Sequence, residues 1–253
     1  IVQTGNWPAP TTADDDPRVG RLIGSALPDS GGAQCVIVGF PVDEGVRRNC
    51  GRVGAAQGPA AIRRQLARFT PDSEHFDRFV ELLSTSWDLG DLVSSGDLEQ
   101  DQNALAEILE PHVALGKITI VLGGGHETAF GHFLAYARAE QTVSLLNWDA
   151  HPDVRPLLND RGHSGSPFRQ ALTHASGRCA GYRVAGLSRH AVAKVHLEFL
   201  ARHQCRYEFA DELTQAKLAE IYGGLNVDTL LSFDLDAVEQ AAAPGVSAPN
   251  ADG

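Results

Sequence analysis

Five short apolar runs, "CVIVGF" at 35–40, "KITIVL" at 117–122, "TVSLLNW" at 142–148, "YRVAGL" at 182–187 and "TLLSFDL" at 229–235, punctuate the chain and are separated by longer stretches of helical spacing. Runs of this length, rich in β-branched residues, read as strands buried on both faces. The stretches between them read as helices: "GPAAIRRQLARF" at 58–69 with Pro59 in its first turn, "LEQDQNALAEILEPHVALG" at 98–116, "TAFGHFLAYARAE", "AVAKVHLEFLARH" and "DELTQAKLAEIY". Pro111 is expected to kink or end the second of these. Strands alternating with helices require crossover connections. The pattern therefore predicts an α/β fold of three layers, αβα, around a mainly parallel central sheet. Residues 1–33, rich in Pro, Gly, Asp and Thr and without period, read as an irregular lead segment, and 34–253 as one domain.

In open parallel sheets, ligands bind beyond the carboxyl ends of the strands. Three polar clusters fall there: "GGGHE" at 123–127, "DAHPD" at 149–153 and "DLD" at 234–236. Together they offer His126, Asp149, His151, Asp153, Asp234 and Asp236. A single D-x-D at a strand end is an ordinary turn or helix cap, but three such clusters at equivalent strand ends are not. Four carboxylates in one place repel one another and lose hydration unless cations sit among them. Two divalent ions would cancel the four charges. Carboxylates with some imidazole suit a hard or borderline ion such as Mn²⁺, with iron or cobalt also admissible. Two such ions bridging a water lower its pKa enough for hydrolysis near neutral pH. The three glycines would permit a tight turn and close backbone approach, so that His126 points inward.

Composition narrows the function further. Lys and Arg number 21 against 32 Asp and Glu, a formal charge of −11, which repels nucleic acid and anionic lipid. No apolar run approaches the roughly 20 residues of a membrane-spanning helix. The four cysteines, Cys35, Cys50, Cys179 and Cys205, have no C-x-x-C spacing and fit reduced thiols in a cytoplasmic enzyme. The chain contains no methionine, for which we have no physical account.

At these clusters the sequence resembles the ureohydrolase, or arginase, family. The likeness runs from about Val36 through "GRVGAAQGPAAIR" at 51–63, "GGGHE", "DAHPD" and "SFDLDAVEQAAAPGVSAP". It implies an arginase-like fold and two Mn²⁺ ions bridged by Asp149 and Asp234, with His126 and Asp153 completing one site and His151 and Asp236 the other. It also implies a homo-oligomer, and a continuation beyond Gly253 that adds a strand, a helix and an acidic substrate-contacting residue, so that 34–253 would be an incomplete domain. Glu239 stands where many relatives carry Asp before Pro.

Within the family, "DEGVRRNCGRVGAA" at 43–56, Gly125 and Glu127 in "GGGHE", "NWDAHPDVR" and "SGSPFRQ" at 164–170 resemble the formimidoylglutamase branch. The implied reaction is hydrolysis of N-formimidoyl-L-glutamate to L-glutamate and formamide, a late step of histidine degradation, by attack of a metal-bridging hydroxide. His163 is the candidate proton shuttle. Arg155 and Arg48 are the candidates for the substrate's two carboxylates, which a guanidinium binds bidentately. The rival readings are a ureohydrolase acting on a guanidino compound (arginase, agmatinase or guanidinobutyrase) and an inactive metal-binding member. A single-zinc deacetylase is disfavoured because the chain has no His-His dipeptide.

Overall fold

The computed structural model describes residues 2–3, 5, 7–8, 10–11, 15–25, 32–225 and 228–251. Its strands are β1 (Val2–Gln3), β2 (Gly24–Ser25), β3 (Cys35–Gly39), β4 (Ser86–Leu92), β5 (Ile118–Leu122), β6 (Val143–Trp148), β7 (Cys179–Leu187), β8 (Arg206–Phe209) and β9 (Thr229–Phe233). Interleaved with them are α1 (Val19–Leu22), α2 (Glu44–Arg48), α3 (Gly58–Leu66), α4 (Phe76–Ser84), α5 (Leu98–Ala114), α6 (Thr128–Arg138), α7 (Pro167–Leu172), α8 (Lys194–Arg202) and α9 (Gln215–Gly223). The strands pair as two sheets, β1-β4-β3-β5 with β2 also on β4, and β8-β7-β6-β9. Every pairing is parallel except that of β1 with β4.

Alternation along β6 shows why the sheet is covered on both faces. Val143 and Leu145 pack with Phe133 of α6, Phe168 of α7 and Leu200 of α8. Leu146 and Trp148 instead pack with Ile221 of α9. Successive side chains of a strand point to opposite faces, so one strand is buried beneath two helical layers. In the other sheet, Leu98, Leu105, Leu109 and Val113 form one stripe of α5 against Val38, Phe40 and Leu92.

Besides the short elements α2, α7 and β8, which the sequence pattern did not mark, three features depart from the sequence expectation. First, α5 runs through Pro111 to Ala114. The buried His112 and Val113 anchor its last turn, and Lys117 N–H closes onto the His112 carbonyl at 3.0 Å. Second, the lead segment carries short elements where described: Val2 and Gln3 pair with Leu92 and Asp91, and Gly24 and Ser25 with Trp87 and Asp88. Third, α4 and β4 had no counterpart in the sequence reading, because "SWDLGDL" alternates polar with apolar residues instead of forming an apolar run. On the strands that border the two sheets, Ile118, Ile120, Leu231 and Phe233 are exposed.

The alternation in β4 serves a buried ion pair. The Asp88 side chain is buried and receives Arg63 Nε at 2.7 Å and Nη2 at 2.9 Å, while Trp7 Nε1 donates to the same carboxylate. Arg63 also donates to Asp91 and to the Gly90 carbonyl. Removing one partner of such a pair strands the other charge without water. Arg63→Ala should therefore cost about 3 to 5 kcal/mol, read as a lowered urea midpoint; an unchanged midpoint would contradict this account.

Candidate metal centre

β5 ends at Leu122 and turns through Gly123, Gly124 and Gly125 into α6. The need for glycine here is steric. A Cβ on Gly124 would stand 2.0 Å from the Val42 carbonyl oxygen and 2.8 Å from that of Phe40. Gly125 N–H donates to the same Val42 oxygen at 2.8 Å. The turn thus lies directly on the segment that follows β3, and the next residue, His126, enters the site. Its Nε2 pairs with Ser232 Oγ of β9 at 2.8 Å, and the edge of Phe168 lies against its ring.

The end of β6 supplies three more donors. Asp149 is fully buried; its Oδ2 accepts from Asn147 Nδ2 at 2.9 Å and its Oδ1 from His151 N–H at 2.7 Å. Tyr182, behind it, receives Asn147 Nδ2 at 3.2 Å and donates to the Pro152 carbonyl. Asp153 has φ 43°. That left-handed conformation is unfavourable for most side chains and comparatively tolerable for Asp, and it is the kind of strain that surrounding structure must hold in place. The end of β9 supplies Asp234 and Asp236: Asp236 N–H donates to Asp234 Oδ1 at 3.0 Å, and Asp236 Oδ1 accepts from Ala150 N–H at 3.2 Å.

The six side chains converge as two overlapping groups, His126, Asp149, Asp153 and Asp234 in one and Asp149, His151 and Asp236 in the other, each with its ligand atoms within 4.8 Å of one another. Asp149 belongs to both. Its Oδ2 lies 3.2 Å from His126 Nδ1 and its Oδ1 3.5 Å from His151 Nδ1, the disposition of a carboxylate that serves two neighbouring ions. Asp234, expected to bridge as well, joins only the first group, through Oδ2 at 3.1 Å from His126 Nδ1; its Oδ1 is engaged by Asp236 N–H.

Electrostatics show what the donors require. Burial alone would lower the His126 pKa, but the carboxylates of Asp149, Asp153 and Asp234 hold it well above its ordinary value. His151, likewise opposed by burial, is pushed up to about 11 by Asp149 and Asp236. Burial raises Asp149, with His126 and His151 acting against it, and raises Asp153, with the Asp149 charge adding to the effect. Asp234 is lowered despite burial, by His126. Without another cation, protons on the imidazoles compensate the carboxylates. Even so, His126 Nδ1 is buried with three carboxylate oxygens at 2.9 to 3.2 Å and no aligned hydrogen-bond acceptor. Convergence without alignment suits a spherical cation better than a directional proton. The donor set therefore fits divalent metal, with carboxylate predominating over imidazole and no thiolate.

The remaining candidates are placed differently. His163 is buried, its Nδ1 accepts from Gly165 N–H at 3.1 Å and its Nε2 faces the Pro156 carbonyl at 3.0 Å. Both ring nitrogens are committed to backbone, which suits holding the 156–165 loop and leaves none to relay a proton. Arg48 donates to Glu99 at 2.6 and 3.0 Å, to Glu44 at 3.0 Å and to the Gly162 carbonyl at 2.9 Å. Its guanidinium is spent on a structural network. Arg155 is exposed, and its Nη1 meets Asn49 Oδ1 at 3.2 Å.

Sequence reasoning passed over Ser232 and Asn147, which hydrogen-bond donor side chains, and the buried Glu127 beside His126. Each stood beside or within a quoted cluster, but only contacts reveal its task. Glu127 is fully buried; its Oε1 accepts from Gly45 N–H at 2.7 Å, and its own carbonyl accepts from Gln102 Nε2. Burial pushes its pKa up to about 7. His196 of α8 was also missed; burial and the charges of Arg155 and Arg169 lower its pKa.

Comparison with known proteins agrees with this geometry. The model of the arginase family matches residues 33–253. The chain belongs to the arginase family. It is 34% identical to the formimidoylglutamase of Geobacillus kaustophilus, over 97% of this chain and 79% of that protein. It is 38% identical to that of Nocardia farcinica, over 96% and 77%. The crystal structure of Trypanosoma cruzi formiminoglutamase with Mn²⁺ superposes with a TM-score of 0.81 at 33% identity, covering 94% of this chain and 82% of that one.

The raised pKa of Glu127 has a signed consequence. An acid whose folded pKa lies above its unfolded value near 4.5 binds more protons folded than unfolded between about pH 4.5 and 7. Its contribution to stability therefore falls as pH rises through that window. Glu127→Gln keeps an acceptor for Gly45 and removes the titration. Relative to the parent protein, metal-free Glu127→Gln should gain up to about 3 kcal/mol between pH 4.5 and 8, measured by urea denaturation; a difference independent of pH would refute it.

Proposed function

We propose that this chain is a binuclear manganese hydrolase that cleaves N-formimidoyl-L-glutamate to L-glutamate and formamide, a step of histidine degradation. The observation that carries the reading is the pair of overlapping donor groups joined through Asp149, and its support comes from relatives that are formimidoylglutamases and a structural neighbour described with Mn²⁺. His126, Asp149, Asp153 and Asp234 would hold one ion and Asp149, His151 and Asp236 the other. Manganese bound there supplies Lewis acidity and lowers the pKa of water, so that a nucleophile is available near neutral pH.

The chain's own groups do the rest. Ser232 and Asn147 fix the rings and carboxylates that receive the ions, as outer partners commonly do in metal sites. In the reaction, water adds to the formimidoyl carbon, the bond from that carbon to the amino nitrogen of glutamate breaks, and a proton passes to the departing amine. The glutamate end carries two carboxylates. Arg155, exposed two residues beyond Asp153, is the guanidinium available to them, whereas Arg48 is held by Glu99, Glu44 and Gly162. We further propose cytoplasmic action and a homo-oligomeric state. Among the described residues no helix is long and apolar enough to cross a membrane, which agrees with this localisation without establishing it.

Assay of the Mn²⁺-loaded protein on formimidoylglutamate, arginine and agmatine in parallel should give formamide from the first and urea from neither of the others; urea would assign a guanidino substrate instead. Asp149→Asn, which removes charge from both donor groups, should lower turnover at least about 100-fold and reduce bound manganese on dialysis. Retention of two tightly bound ions would contradict the bridging role.

A further inference from the structure

We infer that Asn49 is a specificity-determining positioning residue, which holds the Arg155 guanidinium in place to receive a carboxylate of the substrate; this rests on the function proposed above. Asn49 is the residue at the carboxyl end of α2, and its backbone N–H donates to the Gly45 carbonyl at 3.0 Å. Its side-chain amide is used from both ends. Oδ1 accepts from Arg155 Nη1 at 3.2 Å, and Nδ2 donates to Ser164 Oγ at 3.1 Å. The amide orientation follows from these partners: only its oxygen can face a guanidinium.

Around this clamp the scaffold is stitched at several points. Arg155 N–H donates to the Gly165 carbonyl at 2.9 Å, and Ser164 N–H to the Gly45 carbonyl at 3.1 Å. Arg48, next in the chain to Asn49, reaches the Gly162 carbonyl. Gly165 lies close beneath the clamp: a Cβ there would come within 3.0 Å of Arg155 Cδ and 3.1 Å of Asn49 Nδ2. Asn49 is thus fixed at its backbone and bonded at both ends of its side chain, while Arg155 is exposed.

Among the described residues, Arg155 has no carboxylate partner, and its side chain meets no hydrogen-bond acceptor other than Asn49. This contrasts with Arg48, whose guanidinium is saturated by Glu44 of its own helix and Glu99 of α5. A neutral amide is the suitable clamp for a guanidinium that must accept an external carboxylate. It orients the group while leaving its charge and its outward N–H groups unspent, whereas an acidic residue would neutralise it. Holding a long side chain in its bound geometry lowers the entropic cost of binding, so the effect belongs on affinity more than on the chemical step.

The test is steady-state kinetics of the Mn²⁺-loaded protein on formimidoylglutamate for the parent, Asn49→Ala, Asn49→Asp, Arg155→Ala and the double variant Asn49→Ala with Arg155→Ala. Thermal midpoint and manganese content are measured alongside. Asn49→Ala should raise KM about tenfold with a much smaller change in kcat. Asn49→Asp should raise KM further by pairing with Arg155. In the double variant, loss of Asn49 should add nothing to loss of Arg155. Additive effects, or losses in kcat, manganese content and thermal midpoint with KM unchanged, would overturn the inference and leave Asn49 a structural residue. Absence of formamide from the parent protein would instead overturn the reading on which the inference rests.

Discussion

Mutual repulsion among buried carboxylates is the constraint around which this molecule is built. Asp149, Asp153, Asp234 and Asp236 come from the ends of two adjacent parallel strands, β6 and β9, and the two strands cannot pair in register without bringing these charges together. In a low-dielectric setting such an arrangement opposes folding unless positive charge enters it. In the absence of metal, protons on His126 and His151 offset the negative charge, and the surrounding carboxylates raise the pKa of both imidazoles. The same demand makes the site a receptor for cations.

The framework around the charges is correspondingly tight. Gly124 lets the end of β5 lie on the segment after β3, Tyr182 and Asn147 brace Asp149 from behind, and Asp153 is kept in a left-handed conformation. Further out, α2 and the 161–166 segment are tied by side chains as well as by backbone, with Arg48, Asn49 and Ser164 each spanning the junction. Two arginines in this region have opposite fates. Arg48 is held by acidic neighbours within the scaffold, while exposed Arg155 is met by the neutral amide of Asn49.

Much of this was legible in the sequence because the chemistry is concentrated in short motifs at strand ends. The apolar runs at 35–40, 117–122, 142–148, 182–187 and 229–235 all became strands, and all six metal-donor candidates converged. What could not be read were relationships set by distant contacts. The strand "SWDLGDL" hid behind the buried pair of Asp88 with Arg63, which makes a polar residue acceptable inside. Pro111 did not end its helix because His112 and Val113 are anchored in the core. His163 and Arg48 were plausible by residue type, yet the loop that turns Pro156 and Gly165 onto His163, and the approach of Glu99 from α5 to an Arg48 already paired with Glu44, are visible only in three dimensions.

The central claim is that the six donors hold two divalent ions sharing Asp149. Electron paramagnetic resonance of the protein titrated with Mn²⁺ tests it most directly. The account predicts binding that saturates at two ions per chain, with exchange coupling between the two spins replacing the six-line signal of isolated manganese. Saturation at a single ion, or two ions that retain uncoupled six-line spectra, would contradict it.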